Sequence, residues 1–339
     1  MTTIAQGPLM RLKAMRLPRR RFLQHAASAA ALLARPRVAA ALDYPTRPVR
    51  MLVGFAPGSA PDVSGRLIGQ WLSDRLARPF VVENKPGGSG NLATEAAIHA
   101  AADGHTLLLV ATGYAINATL YENLNYNFAR DLAPVAGLSR EPNLMVVNPA
   151  FPATTVPDFI NYARANPGKI NMASPGLGTS PHMAGELFKS MAGVGMTHVA
   201  YRGSPAAITD LLGGQVQVYF APISTSIEYV RAGKLRALAV TTAMRAPALP
   251  DIPPLNDFVP GYEMSGWYGI VAPKKTPAAI IDRLNKEVNA GLGDPSITAR
   301  LAALGSSTFI VSPADFGKFI ADEIEKWAKV VKSERIKPD

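Results

Sequence analysis

The chain has 339 residues, more than one hydrophobic core usually organises, so two domains are expected. It contains no cysteine, which excludes disulfides, thiolate nucleophiles and thiolate metal sites. The formal charge of +10 points towards nucleic acid, but residues 1–41 hold eight Lys/Arg and no acid, leaving about +2 elsewhere and no basic run to follow phosphates.

Residues 1–41 read as an export signal. Arg19-Arg20-Arg21-Phe22-Leu23 fits the twin-arginine pattern, a weakly apolar stretch (Ala26–Ala34) follows, and Ala39-Ala40-Ala41 supplies an A-x-A-like cleavage site. Arg35 and Arg37 lie where a general secretory signal rarely places charge, although an ordinary basic leader is the alternative. Either puts the mature chain, beginning after Ala41, outside the cytoplasm. The apolar run is far shorter than the ~20 residues that span a bilayer.

Strand-like runs then alternate with helical patterns. Val49–Val53 is a buried strand that breaks at Gly54, and a helix over 62–77 begins at Asp62 as N-cap. Phe80–Glu83, a helix from about Asn91 to Ala101, and the strand Thr106–Ala111 come next, and Leu144–Asn148 leads out of this unit. A second alternation follows: helix 156–165, strand 170–173, helix 181–192, strand 197–201, helix 204–212, strand 216–220, helix 226–232 and strand 235–241. Pro247–Pro254 is a connector. Trp267–Ala272 is a further strand, and two amphipathic helices start at Thr276-Pro277 and Ser312-Pro313. Trp267 and Trp327 read as core, and Lys318, Glu323, Glu325, Lys326 and Lys329 as a solvated face. Apolar strands separated by helices predict an α/β protein with mainly parallel sheets covered on both faces.

Three strand-to-helix loops carry the chemistry: Gly58-Ser59 with Asp62, Pro86–Gly90, and Ser174–Ser180. Each places unpaired N–H groups and the positive end of a helix dipole where an anion can sit. Gly88-Ser89-Gly90-Asn91-Leu92-Ala93 matches the dinucleotide fingerprint G-x-G-x-x-A, yet the next strand ends without the acid that would hold a ribose. No H-E-x-x-H or acid-rich metal cluster and no G-x-S-x-G elbow accompanies the histidines. His182, just inside a helix, is read as shaping the pocket or capping the helix. The competing reading is an exported α/β hydrolase or lyase that uses Asp62, His182 and the third-loop hydroxyls.

Several motifs, in this order and spacing, carry a resemblance over about Tyr44–Asp339. They include Tyr44-Pro45-x-Arg47-Pro48, the first loop 55–62, Val82-Glu83-Asn84-Lys85-Pro86-Gly87, Asp103-Gly104-His105-Thr106-Leu107, Leu211-Leu212-Gly213-Gly214-Gln215-Val216 and Gly233-Lys234-Leu235-Arg236-Ala237-Leu238. The chain resembles the tripartite tricarboxylate transporter substrate-binding receptors, the Bug-type periplasmic solute-binding proteins. The resemblance implies a two-lobe periplasmic-binding-protein architecture (type II-like), with lobe 1 at 43–144 plus 267–339, lobe 2 at 145–266, and a ligand cleft between them. It implies a monomeric periplasmic receptor for a small carboxylate, with no cofactor, metal or catalysis, that meets membrane permease subunits transiently; a sensor uncoupled from transport is an alternative. Carried over residue by residue, the ligand positions are Phe55, Gly58, Ser59, Asp62, Thr112, Gly113, Ser174, Gly178, Thr179 and Ser180. Two departures stand out: Pro61 removes an N–H from the first loop, and Ala221 stands where the family often has an Asp suited to amino groups. The second favours a ligand without a cation, such as a dicarboxylate or an aromatic acid.

Overall fold

Runs of apolar residues too short for helices set the strands. A computed structural model describes residues 43–121, 123–333 and 336, so the leader lies outside the described residues. Val49–Val53 (β1), Phe80–Asn84 (β2) and Thr106–Ala111 (β3) alternate with Ala60–Leu76 (α1), Asn91–Ile98 (α2) and Thr112–Leu120 (α3). The short Phe128–Asp131 (α4) precedes Leu132–Val147 (β4). Val156–Ala165 (α5), Asn171–Ser174 (β5), Ser180–Ala192 (α6), Thr197–Ala200 (β6) and Ser204–Leu212 (α7) come next. Val218–Pro222 (β7), Ile223–Arg231 (α8) and Arg236–Val240 (β8) complete that run. Ser265–Pro273 (β9), Ala278–Leu292 (α9), Pro295–Ala303 (α10), Ser307–Thr308 (β10) and Pro313–Ser333 (α11) close the chain.

The main strand order is β2-β1-β3-β9-β4-β7-β5-β6, with β8 and β10 also pairing to β4. Pairs β1–β2, β1–β3, β5–β6 and β5–β7 are parallel, as the alternation predicts. Every antiparallel pair involves β4 or β9, so the sheet is mixed at its middle rather than parallel throughout. β4 is 16 residues long. Its first part pairs with β9 up to Pro142, and from Asn143 it pairs with β7 and β8. Only its last residues read as a strand in the sequence, because Pro134, Gly137 and Pro142 interrupt the run. The β4–β9 register shifts between Pro134 and Ala136 and between Gly137 and Ser139, which absorbs the first two interruptions, and Pro142 stands where the pairing with β9 ends. Thr241 binds the chain's return path at the same point: its amide donates to the Asn143 carbonyl, and its hydroxyl, which accepts from the Asn143 amide, donates to the Met264 carbonyl.

Three further differences have local causes. Thr112–Leu120 is a helix that the sequence pattern does not show, since Tyr114, Ala115, Ile116 and Leu120 are buried all round and leave no amphipathic stripe to read. The nine residues of α10 were not foreseen. Glu323 belongs to the core-facing side of α11: its Oε2 accepts from the indoles of Trp267 at 2.9 Å and Trp327 at 3.0 Å, both of which are buried. Lys318 and Lys329 do face solvent, in exposed ion pairs with Asp322 and Glu325.

The larger core cluster runs along β1, β3, β4 and β9, and α11 sets Phe316, Ile320 and Trp327 into it against β4, β9 and α3. Gly269 on β9 permits this approach. A Cβ there would stand 2.1 Å from Phe316 Cζ and 2.8 Å from the Ala136 carbonyl oxygen. The carbonyl cannot move without breaking the ladder, so Gly269→Ala is expected to destabilise the fold by about 1–3 kcal/mol. Urea denaturation of the two proteins checks this, and an unchanged midpoint would contradict the packing described.

Candidate functional site

Five helix starts meet at one small hollow. Its wall includes Ser59 and Ala60 at the start of α1, Ala111 and Gly113 at the start of α3, and Thr179 and Ser180 at the start of α6. Ser204, the first residue of α7, and Pro222, which precedes α8, complete the set, with Phe55 and Tyr268 as aromatic walls. First-turn amides have no intrahelical partner, and each helix start carries roughly +0.5 of an elementary charge. Among the described residues, no charged side chain lines the hollow. It measures about 30 Å³, little more than a water molecule occupies.

Three of these helix starts are built alike. Ala60-Pro61, Ser180-Pro181 and Ser204-Pro205 each put a small residue at the first helical position and proline at the second. Proline presets the helical φ and has no N–H to satisfy. Neither Ser59 nor Thr179 caps its own helix with its side chain. By contrast Thr155, Asn127 and Asp294, at helix starts outside the hollow, accept first-turn amides. Ser59 Oγ is buried and has no hydrogen-bond partner.

The first loop is braced from behind. Asp62 is the third helical residue of α1, not its N-cap; Ser59 holds that place. The Asp62 carboxylate accepts from the Gly58 amide at 2.9 Å, Arg66 Nε at 3.0 Å and Asn84 Nδ2 at 2.9 Å. Burial alone would raise its pKa; the hydrogen bonds from Arg66, Gly58 and Asn84 outweigh it and hold the carboxyl below its usual value. Gly58 has φ +76°, which a glycine adopts without strain.

The third loop is braced through two histidines. The Gly178 amide donates to His182 Nδ1 at 3.1 Å, and Ser174 Oγ and His198 Nε2 are 2.6 Å apart. The two imidazoles lie 4.0 Å apart, centroid to centroid. Burial, then His198 and Lys189, push the pKa of His182 down to about 3. A neutral ring accepting at Nδ1 carries its proton on Nε2, which faces Glu186 Oε1 at 3.7 Å. Thr179 Oγ1 donates to the Gly176 carbonyl at 2.6 Å, which leaves Ser180 as the loop's hydroxyl on the hollow.

α3 brings the two loops together. Thr112 Oγ1 accepts the Trp267 amide at 2.9 Å, fixing the start of α3 to β9. At Gly113 a Cβ would stand 3.1 Å from the Gly178 carbonyl oxygen. Behind Tyr268, whose hydroxyl donates to Glu141 Oε1, the buried Glu141 also accepts from the Ser224 amide at 3.2 Å and the Ser306 hydroxyl at 3.1 Å. Burial pushes the Glu141 carboxyl up, against these hydrogen bonds.

Of the ten residues named from sequence, Phe55, Ser59, Gly113, Thr179 and Ser180 line the hollow. Gly58, Asp62, Thr112, Ser174 and Gly178 stand one step behind, in the hydrogen bonds just described. The second loop, Pro86–Gly90, lies apart: Ser89 Oγ donates to the Leu177 carbonyl, and the loop borders a neighbouring pocket instead. Ser204, Pro222 and Tyr268 were missed. Gly203-Ser204-Pro205 repeats the small-residue–proline signature and could have been found; Tyr268 sits mid-strand, where sequence carries no signal.

Residues 65–336 match the family described as the tripartite tricarboxylate transporter family receptor. BugT of Bordetella pertussis is 35% identical over 292 residues, 85% of this chain and 90% of its own length. The R. palustris protein Rpa4515, solved with adipate, is 38% identical with a TM-score of 0.85, covering 87% of this chain and all of its own. MatC from Rhodopseudomonas palustris, solved with malate, is 30% identical with a TM-score of 0.81, covering 85% of this chain and all of its own. These neighbours share the two-lobe periplasmic-binding-protein fold, and they are solute-binding proteins rather than enzymes. The chain accordingly belongs to the tripartite tricarboxylate transporter receptor family.

Proposed function

We propose that the protein is a periplasmic receptor that captures a small organic acid between two lobes and delivers it, as a monomer, to the permease of a tripartite tricarboxylate-type transporter. The observation that carries this reading is Ser59 Oγ, a buried unpaired hydroxyl at a hollow ringed by uncapped helix starts. Donors without an opposing acid suit a carboxylate. Adipate and malate in the related structures are of this class.

In this reading the lobes comprise 43–144 with 267–339 and 145–266, and β4 and the segment through Thr241 are the crossovers that flex. A hollow of about 30 Å³ admits no diacid until its walls part, so the acid enters an open form and favours the closed one by its contacts to both lobes. Phe55, Ser59, Gly113, Thr179 and Ser180 make up the contact surface, with Ser204 and Tyr268 added. Gly58, Asp62, Thr112, Ser174 and Gly178 position it. Ala221 is buried within β7, and the hollow's lining contains no carboxylate to attract an amine. Residues 1–41 are the proposed twin-arginine-type signal, and N-terminal sequencing of the exported protein should start at Leu42; a start near Met1 would refute this.

A thermal-shift screen tests the ligand class. Small carboxylic acids such as adipate and malate should raise the melting temperature, whereas stabilisation by amino acids or sugars alone would refute the reading. Gly113→Val, which pushes a side chain towards the Gly178 carbonyl, should weaken binding of the best acid about tenfold or more by calorimetry. Affinity equal to that of the unmodified protein would remove Gly113 from the contact surface.

His182 gives a pH signature. Its folded pKa of about 3 lies below the ordinary 6.5, so the unfolded chain takes up a proton first as pH falls. Its contribution to stability is therefore full above about pH 6.5 and is lost progressively towards about pH 3. Between pH 7 and pH 5, denaturant midpoints should fall less for His182→Gln than for the unmodified protein; equal declines would show His182 uncoupled from this loss.

A further inference from the structure

Beside the hollow lies a second pocket of about 490 Å³, and Phe55 and Pro175 form part of the wall of both. Its remaining lining comes from the loops at Gly54–Ala56, Pro86–Ser89 and Tyr201-Arg202. Among the described residues, Arg202 is the one charged side chain in either lining. Among the described residues its guanidinium has no ion pair and no hydrogen bond, unlike Arg66 on Asp62 or Arg50 on Glu83.

The backbone that carries Arg202 is fixed on both sides. The Tyr201 amide donates to the Ser174 carbonyl at 2.8 Å, and the Tyr201 hydroxyl donates to Asp210 Oδ2 at 2.6 Å. That bond engages Asp210 with a neighbour other than Arg202. On the other side, Gly203 packs so tightly that a Cβ would stand 2.8 Å from Ala56 Cβ. An anchored arginine with a free planar fork, in a pocket that holds no acid, is suited to a bidentate carboxylate.

We infer that this outer pocket is a second anion subsite, in which Arg202 receives the far carboxylate of a straight-chain dicarboxylate whose near carboxylate occupies the helix-ringed hollow. The inference rests on the carboxylate-receptor reading and narrows it: the hollow accepts any small acid, and Arg202 selects those with a negative group at both ends. Ser89, spent on the Leu177 carbonyl, holds the pocket's opposite wall in place.

Calorimetry with the mature protein tests this, using diacids from succinate to suberate and the matching monoacids from butanoate to octanoate. The unmodified protein should bind its best diacid about tenfold or more tightly than the monoacid of equal length. Arg202→Ala should bring that ratio close to one, and Arg202→Lys should retain part of it. Arg202 is exposed and unpaired, so melting temperatures of both variants should match the unmodified protein. A diacid-to-monoacid ratio unchanged by Arg202→Ala, or absent in the unmodified protein while monoacids bind, would overturn the subsite and leave the carboxylate reading standing. If no acid of either series binds, the carboxylate reading itself has failed, and the subsite with it.

Discussion

The organisation depends on one electrostatic arrangement: several helix starts, none capped by its own N-terminal side chain, aimed at a space without a charged side chain. An isolated carboxylate in such a space would be costly to desolvate. Partial charges fixed by the backbone avoid the difficulty a lysine or arginine would bring, because they are not solvated cations that must themselves be stripped of water. Fixed amides also cannot fold away when the site is open. The arrangement demands that every nearby acid be satisfied elsewhere, and Asp62 and Glu141 are: Asp62 accepts hydrogen bonds from Gly58, Arg66 and Asn84, and Glu141 from Ser224, Ser306 and the hydroxyl of Tyr268, the wall residue in front of it.

The fold brings these helix starts together through its strands. Helices α1, α3, α6, α7 and α8 follow closely on strands β1, β3, β5, β6 and β7, so their starts lie at strand ends, where open α/β sheets hold ligands. β4 and β9 run antiparallel across the middle and join the two parallel sets. The pairing of β4 changes partner at Pro142–Asn143, and Glu141 is the adjacent residue, bonded to Tyr268 on one side and to the start of α8 on the other. The wall of the hollow and the crossing point between the two halves are thus linked by one buried carboxylate.

Much of this was legible in the chain. Apolar runs bounded by Gly and Pro located β1, β3 and the second alternation, since strand and helix periods are local properties. The loops at Gly58-Ser59 and Ser174–Ser180 were also readable, because glycine and hydroxyl residues before a helix have few other uses. Long-range pairing was not. Nothing local tells that Leu132–Val147 is continuous, as Pro134 is accommodated by a register shift against β9 and Pro142 by the change of pairing partner. The role of Asp62 was half visible: its acidity, its place near a helix start and Arg66 one turn further along the same helix were plain, but its partner Asn84 depends on how β2 packs. Tyr268 and Glu141 are diagonal neighbours across β4 and β9, where Tyr268 stands opposite Ser139 and Glu141 opposite Gly266, a proximity set entirely by the sheet.

The most direct test of the central claim is a crystal structure of the mature protein grown with adipate or the acid that gives the largest thermal shift. The account predicts one carboxylate within hydrogen-bond distance of Ser59 Oγ and of amides at the starts of α1, α3 or α6, with no cationic side chain touching it. A carboxylate held instead by lysine or arginine away from these helix starts, with the hollow filled by neighbouring side chains, would contradict it.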